Sequence, residues 1–336
     1  MKKKLQLKTS FSLRTIILKP MLFLFTLGLM MNSQLGYSQL DTDVFTIATD
    51  DASNYSSWND GDNQGSGFGA WAFSSSGNDS GKYIGDTGQG NPSFGLFANE
   101  FNSFTTARPF INPLKEKDKI SVDIGATGVN NGAELLVQLV DNGTVVFTLK
   151  FVGGNTDWQI NDGGSDFPSG EAFATNTSKK FTFTYEGNNK YSYTLGTNGS
   201  GSNFTANNTI SNINEIRFVN NGQGAGENFG FNNLEITSKY TIPNTQSSNV
   251  TSNTTVPYLN VQNGGSVIVQ AGNALTVNGD ITNNGNITFK SELDNSGTTP
   301  KSSKTAQLDV FSGSITGTGD VTVERFIPVQ TNDTRA

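Results

Sequence analysis

The sequence predicts an all-β protein: an antiparallel jelly-roll β-sandwich followed by a short β-helix-like or solenoid-like segment. Apolar and polar side chains alternate with a period of two, which is typical of strands with one buried face. Strand-like runs recur about every ten residues with Gly and Asn between them, and no stretch has a convincing helical period. Beyond residue 256, short aliphatic pairs alternate with Asn-Gly corners, which favours stacked coils.

Residues 1–38 predict a secretory signal peptide. This segment contains six basic residues and no acidic residue, and the apolar run MLFLFTLGLMM follows the basic part. Gly36 and Ser38 suit the small-residue positions of a signal-peptidase site, so Gln39 is the predicted first residue of the mature chain. The apolar run is shorter than the roughly 20 residues that span a bilayer. We therefore expect a secreted or outer cell-surface protein without an integral membrane segment in the mature chain.

Residues 39–240 contain the runs that predict the sandwich. In KISVDIG, the residues Ile120, Val122 and Ile124 share one face, and VVFTLKFVG and KKFTFTYEG have the same alternation. Asn142-Gly143 and the Asn pair of EGNNKY are typical of tight hairpin turns, because Asn and Gly tolerate positive φ. About 200 residues is an ordinary size for one such domain.

The charge and the missing residue types exclude several functions. Loss of the leader changes the formal net charge from −7 to −13, which repels phosphate groups, so we expect no nucleic-acid partner. The chain contains no Cys and no His, which removes disulfides, thiolate nucleophiles and His-dependent triads. Glycoside hydrolysis requires only two carboxylates, but Glu134, Glu215 and Glu235 each lack a carboxylate two residues away. We therefore expect a protein that is not an enzyme.

Three stretches resemble a known family. DASNYSSWNDGDNQGSGFGAWAF, SFGLFANEFNSFTTARPF and FGFNNLEITS are similar to segments of concanavalin A-like (laminin G-type) jelly-roll domains of secreted bacterial proteins. The resemblance covers residues 41–238. It implies that the first and last strands lie side by side and that a structural calcium ion lies near them. This fold carries lectins, hydrolases and structural modules alike.

The remainder of the chain predicts a linker, a stalk and a tail. Residues 241–256 are almost all small and polar, which indicates a linker, and residues 257–326 then predict the β-helix-like segment. This second stretch, with its run GTGDVTVERFIP, resembles stalk segments of surface proteins exported by the type IX secretion route, which implies a cell-surface anchoring machinery as a partner. Residues 327–336 are predicted to be a disordered or truncated tail. The sequence ends at TNDTRA without the C-terminal sorting domain that this resemblance implies, so we expect a truncated or interrupted reading frame.

The loop WNDGDNQGSGFGAW, residues 58–71, is the main candidate for a binding site. Trp58 lies among polar residues, so we expect an exposed platform for the apolar face of a sugar, with Asp60 and Asp62 as hydrogen-bond partners. Trp158 begins a short strand before another oxygen-rich loop and is predicted to bind ligand in the same way. The alternative interpretation is that these tryptophans, like most of the phenylalanines, fill the core of the sandwich.

The aspartates around this loop also suit a calcium ion. Asp50, Asp51, Asp60 and Asp62 are the predicted ligands, because calcium binds six to eight oxygens and Gly/Asn-rich loops supply them readily. Their order does not match the EF-hand pattern. Structural calcium is the one cofactor that we expect, and the alternative is again an ordinary polar turn.

These observations together predict a non-catalytic module that binds an extracellular polysaccharide or other glycan, or mediates adhesion. Two alternatives stay open. One is a purely structural surface spacer without a ligand, and the other is a divergent glycoside hydrolase.

Overall fold

The computed structural model describes residues 39–40, 42–87, 92–222, 224–226, 228–294, 303–309 and 312–327. The predicted signal peptide and residues 328–336 of the predicted tail lie outside these ranges. Within them the regular structure consists of strands and one short 3-10 turn, Ala52–Asn54, so the all-β prediction is confirmed. No helix in the described ranges has the length and apolar character of a membrane span.

Fifteen strands precede residue 240. They are β1 (Phe45–Asp50), β2 (Ala72–Ser75), β3 (Ser80–Gly85), β4 (Ser93–Ala98), β5 (Ser103–Pro109), β6 (Lys119–Gly128), β7 (Glu134–Asp141), β8 (Thr144–Val152), β9 (Asp157–Asn161), β10 (Phe167–Ala172), β11 (Lys179–Gly187), β12 (Lys190–Leu195), β13 (Gly199–Thr205), β14 (Ile213–Asn221) and β15 (Asn228–Ser238).

These strands form the two sheets of an antiparallel sandwich. The eight-stranded sheet has the order β13-β12-β11-β6-β15-β4-β3, with β1 also paired to β15. The seven-stranded sheet has the order β10-β9-β8-β7-β14-β5-β2. Because β1 and β15 are the first and last strands of the sandwich, their antiparallel pairing confirms that these two lie side by side.

The alternation in the sequence places the core between the sheets. Ile120, Val122 and Ile124 of β6 are fully buried against the inner face of the other sheet. The hairpin prediction at Asn142-Gly143 is confirmed, because both residues have positive φ, 48° and 88°, and join β7 directly to β8. Burial of many aromatic and aliphatic side chains stabilises this sandwich without disulfides.

Thirteen shorter strands follow. They are β16 (Thr241–Ile242), β17 (Ser247–Val250), β18 (Thr254–Val256), β19 (Leu259–Val261), β20 (Ser266–Val269), β21 (Ala274–Val277), β22 (Ile281–Asn283), β23 (Asn286–Phe289), β24 (Ser291–Leu293), β25 (Ser303–Thr305), β26 (Gln307–Leu308), β27 (Ile315–Thr316) and β28 (Asp320–Val323).

Apart from the β24–β25 hairpin, these strands form three parallel sheets, as expected for a solenoid-like segment. The sheet orders are β16-β19-β22-β27, β17-β20-β23-β28 and β18-β21-β26. Val250, Val269 and Phe289 occupy equivalent positions of successive coils and are all buried, so they form one apolar column. The β24–β25 hairpin lies in the later coil and lengthens it, which explains why the spacing in the sequence is irregular.

The prediction of a linker at residues 241–256 is wrong. This segment contains β16, β17 and β18, which form the first coil and pair in parallel with β19, β20 and β21. Its few apolar residues, Ile242, Val250 and Val256, are at most 1% exposed. Four small polar residues are buried as well, and the next coil supplies backbone hydrogen bonds; the buried residues are Thr241, Ser248, Asn249 and Thr254. Polar composition therefore did not mean a flexible chain.

The sandwich and the first coil share part of their core. Leu40 and Phe45, at the start of the sandwich sequence, belong to the apolar cluster of the coils. The Leu40 N–H donates to the Asn249 carbonyl at 3.1 Å, and Ser248 Oγ donates to the Asp43 carboxylate at 3.0 Å. Leu40, Asp43 and Phe45 thus cover the first coil of the solenoid-like segment.

Candidate functional site

Trp58, the predicted exposed platform, is buried. Its side chain is 2% exposed, and its ring lies edge-on to Trp71 and Phe73 at centroid distances of 5.2 and 4.9 Å. Asn59 and Asp60, which make the local sequence polar, lie on the surface in the next turn, while the indole points inward. Burial of this large ring outweighs its polar neighbourhood in the sequence. The prediction of an exposed sugar platform at Trp58 is therefore wrong.

Trp158 is also a core residue. It lies on β9, is 1% exposed and packs on Phe151 and Phe173 at ring-centroid distances of 5.6 and 6.1 Å. The alternation of the strand points Trp158 and Ile160 inward and Gln159 outward. The prediction that Trp158 contacts a ligand is wrong for the same reason.

Asp50, a predicted calcium ligand, forms a buried ion pair. Its carboxylate lies 2.9 Å from the Arg108 guanidinium, and both side chains are fully buried. Tyr55 Oη and Trp71 Nε1 donate to the same carboxylate at 2.8 and 3.1 Å. Burial raises the pKa of Asp50 and lowers the pKa of Arg108, while the ion pair opposes both shifts. A carboxylate neutralised by a guanidinium is a poor ligand for calcium.

The other three predicted calcium ligands are engaged in hydrogen bonds to the backbone. Asp51, Asp60 and Asp62 each accept a hydrogen bond from a backbone N–H, at 2.8, 2.9 and 2.6 Å. In the part of the chain that the structure describes, no group of three or more Asp, Glu, His or Cys side chains is placed to hold a metal ion. The structure therefore does not bring the four aspartates together as a ligand set. Calcium binding stays a prediction of the resemblance.

The outer face of the seven-stranded sheet presents a different polar surface. Cross-strand pairing places Asn161 opposite Thr148, Thr148 opposite Gln138, and Gln138 opposite Arg217. Directly opposed residues lie about 5 Å apart, so these four form a continuous row across β9, β8, β7 and β14. All four are partly exposed, while their strand neighbours point into the core.

Two further rows lie beside this one. Leu136 is partly exposed and lies opposite Val219, which is only 8% exposed, so the two form a narrow apolar strip whose accessible part is mainly Leu136. On its other side, Glu134 lies opposite Asn221, which in turn lies opposite Ser103. Successive rows on one face of a sheet are about 7 Å apart. The surface thus has an apolar strip between two rows of planar amide, carboxylate and guanidinium groups. We call these three rows the polar face.

Charged groups on and beside the polar face are paired with neighbours. The pairs are Arg217 with Glu215, Lys150 with Asp166 at 2.5 Å, and Asn221 with Glu134 at 3.1 Å. Partial burial acts against ionisation of Asp166, but hydrogen bonds from Lys150 and Asn161 outweigh it and lower the pKa of this carboxyl. The polar face therefore offers directional hydrogen bonds with little unbalanced charge.

Sequence reasoning missed the polar face for an identifiable reason. The alternation of β7 and β14 shows that Gln138 and Arg217 point outward, and this signal is present in the sequence. The pairing of these two strands, which are far apart in the chain, is visible only in the structure. Attention to tryptophans and aspartates favoured the loop at residues 58–71 instead.

The outer face of the eight-stranded sheet has a groove of about 500 Å³. It is lined mainly by Ser and Thr hydroxyls, among them Thr182, Thr184, Ser192 and Thr194, with Lys119 at one side. Hydroxyl groups rotate freely and bind with less directional precision than planar amides and guanidinium groups. We therefore rank the groove below the polar face as a site for a polyhydroxylated ligand.

No protein-family model matches the sequence, and no curated protein matches it. Among solved structures, a sialidase matches with a TM-score of 0.44 and 14% identity over 57% of this chain and 18% of the sialidase. The Caenorhabditis elegans galectin LEC-6 matches with a TM-score of 0.31 and 12% identity, and the match covers 39% of this chain and 88% of the galectin. A third match is domain 4 of AbnA, a GH43 extracellular arabinanase from Geobacillus stearothermophilus, solved in complex with arabinotriose. Its TM-score is 0.37 and its identity 14%, and the match covers 58% of this chain and 93% of that domain.

Proposed function

We propose that this chain is a non-catalytic, exported module that binds a neutral glycan on the polar face. The observation that carries the proposal is the narrow apolar strip, mainly the accessible part of Leu136 beside the largely covered Val219, between two rows of polar side chains. A sugar has apolar C–H faces and a rim of hydroxyl groups. The strip suits the C–H face, and the amide, carboxylate and guanidinium groups suit the hydroxyls.

The charge pairing supports a neutral ligand over an acidic one. Arg217 and Lys150, the cations of this face, already have carboxylate partners. An anionic polysaccharide would compete with these partners and would meet a mature chain with a strongly negative formal charge. A neutral glycan requires only hydrogen bonds and contact with the apolar strip.

The positions of the carboxylates support a non-catalytic role. Glu134 lies opposite Asn221, and Glu215 lies six residues before Asn221 on the same strand. At about 3.4 Å per residue, their backbones are about 20 Å apart. A glycosidase pair requires carboxyl groups about 5 to 10 Å apart. A hydrolase that uses these two residues is therefore disfavoured.

The test is affinity gel electrophoresis of the chain from Gln39 to its end with a panel of neutral soluble polysaccharides. We expect retardation by at least one of them, and the combined Gln138→Ala and Arg217→Ala substitutions should raise the apparent Kd at least about tenfold. The matched control removes Thr182 and Ser192 side chains from the groove on the opposite sheet. Parallel runs with calcium and with a chelator test whether a cation takes part.

Three results would count against this assignment. Loss of binding in the groove variant but not in the polar-face variant would move the site to the eight-stranded sheet. Retardation by acidic polysaccharides alone would contradict the neutral class. If nothing is retarded, the structural spacer becomes the better proposal, and the shared core of sandwich and solenoid-like segment already suits a rigid spacer.

A further inference from the structure

Phe101 is an aromatic side chain that the fold leaves in solvent. It lies in the turn between β4 and β5 and is 77% exposed, compared with 2% for Trp58 and 1% for Trp158. Phe204, at the opposite edge of the sandwich, is 37% exposed but stacks on Tyr191. An aromatic ring that remains exposed gains nothing from burial in this fold, so its position calls for another explanation.

The backbone under Phe101 is strained. Glu100 and Phe101 have φ values of 48° and 63°, so two consecutive residues other than Gly occupy the left-handed region. Side chains with a Cβ are disfavoured there, and a bulky ring is rarely found. A Gly or Asn at either position would relieve the strain.

The surrounding structure holds this conformation firmly. The Glu100 N–H donates to the Gly224 carbonyl at 2.8 Å, and the Gly222 N–H donates to the Asn102 carbonyl at 3.0 Å. Asn102 Nδ2 donates to the Asn99 carbonyl at 2.6 Å. Strained backbone persists where neighbouring contacts over-determine it, and such places are often sites of binding.

The turn lies at one end of the polar face. Ser103, two residues after Phe101, is opposite Asn221, and Asn221 is opposite Glu134. Two residues of extended chain span about 7 Å. The backbone of Phe101 therefore lies within about 7 Å of Ser103, at the end of the row of Glu134, Asn221 and Ser103.

We propose that Phe101 is the stacking platform for one sugar ring of the glycan bound by the polar face. This inference rests on the proposed function. The ring contacts the apolar C–H face of the sugar, while Asn221 and Ser103 bind its hydroxyls. Because hydrogen bonds fix the backbone of the turn before binding, little loop entropy is lost on association.

The test compares four variants of the chain from Gln39 in the same gel assay: Phe101→Ala, Phe101→Tyr, Phe101→Gly and, as control, Ile111→Ala at another residue that is 64% exposed. Phe101→Ala should raise the apparent Kd about tenfold or more, and Phe101→Tyr should stay within about threefold of the wild type. Phe101→Gly should weaken binding equally and yet raise Tm, because glycine relieves the positive φ. If Phe101 had only a structural role, a substitution that raises Tm would not weaken binding.

The outcomes separate the two proposals. If the Gln138/Arg217 variant loses binding and Phe101→Ala does not, the platform is wrong and the polar face stands. If Phe101→Ala and Ile111→Ala weaken binding equally, the effect is not specific and the platform is wrong. If the wild-type chain binds no polysaccharide, the proposed function fails and the platform fails with it.

Discussion

Asp50 and Arg108 place opposite charges in the apolar core of the sandwich, so the loss of one charge should be costly. Asp50→Asn keeps the shape of the side chain but leaves the guanidinium buried without its counter-ion. We expect a loss of about 3–5 kcal/mol in the free energy of unfolding, measured by urea denaturation. The control is Glu186→Gln, which breaks the ion pair with Lys117, where the side chains are 21% and 40% exposed. A loss below about 1 kcal/mol is expected there, and equal losses in both variants would contradict this account.

For single residues, the sequence predicts correctly which side chains point inward where a strand imposes its alternation. In irregular loops it gives no such prediction. Ile120 and its neighbours on β6 were predicted inward and are buried, because a strand fixes alternate directions. Trp58 lies in an irregular loop, where no period exists and only packing decides whether a ring points inward. Trp158 lies on a strand two residues before the apolar Ile160, so the alternation of the strand places both side chains on the same, buried face.

At the scale of elements, the strands of the sandwich were predictable but those of the first coil were not. β16 has only two residues and β18 only three, which is too few for an alternating pattern to be visible. Their hydrogen-bond partners lie in the next coil, at residues 260 and 275, so the structure of this segment depends on a distant stretch of chain. For the same reason, the sequence does not show that β7 pairs with β14, and this pairing creates the polar face.

The segment that contains Leu40 and Phe45 packs as part of the solenoid-like segment, and a single substitution should reveal this. Leu40 is 1% exposed in the apolar cluster of the coils, so Leu40→Ala should reduce stability by about 2–5 kcal/mol. Hydrogen exchange should become faster at the amides of β17, which the segment covers. The control is Val44→Ala four residues later, where the side chain is 51% exposed and the change should stay within about 0.5 kcal/mol. Unchanged exchange at β17 in Leu40→Ala would show that the segment is not a cover.

At the scale of the whole molecule, Asp118 and Tyr258 connect the sandwich to the first coils. Tyr258 Oη donates to the Asp118 carboxylate at 3.0 Å, and the Lys115 backbone N–H donates to it at 2.8 Å. Lys115 Nζ also lies 5.3 Å from the centre of the Tyr258 ring. Because both parts contribute to this contact and to the core around Leu40, we treat binding on the sandwich and the integrity of the coils as properties of one unit. This is the reason for the use of the chain from Gln39 to its end in the binding experiments.

This junction should make the stability of the molecule depend on pH. Burial raises the pKa of Asp118 from 3.8 to about 6, against the effect of its hydrogen bonds, and the side chain is 1% exposed. The folded state therefore binds the proton more tightly than the unfolded state does. This contribution to stability is fully present below pH 3.8 and is lost as the pH rises through about 6. A difference of about two pKa units corresponds to about 3 kcal/mol.

Other carboxyl groups act in the opposite direction, so the prediction is made against a matched variant. Lys179 and backbone N–H groups lower the pKa of Glu171 despite its burial, and that contribution to stability is lost as the pH falls. Asp118→Asn keeps an acceptor for Tyr258 but cannot titrate. The difference in unfolding free energy, wild type minus Asp118→Asn, should fall by about 2 kcal/mol between pH 4 and pH 7 in urea titrations, because part of the effect is already lost at pH 4. If the unfolding free energies of the two proteins change with pH in parallel, the pKa of Asp118 is the same in the folded and unfolded states, and this prediction is wrong. A positive charge from the coils would then have to offset the burial of the carboxyl group.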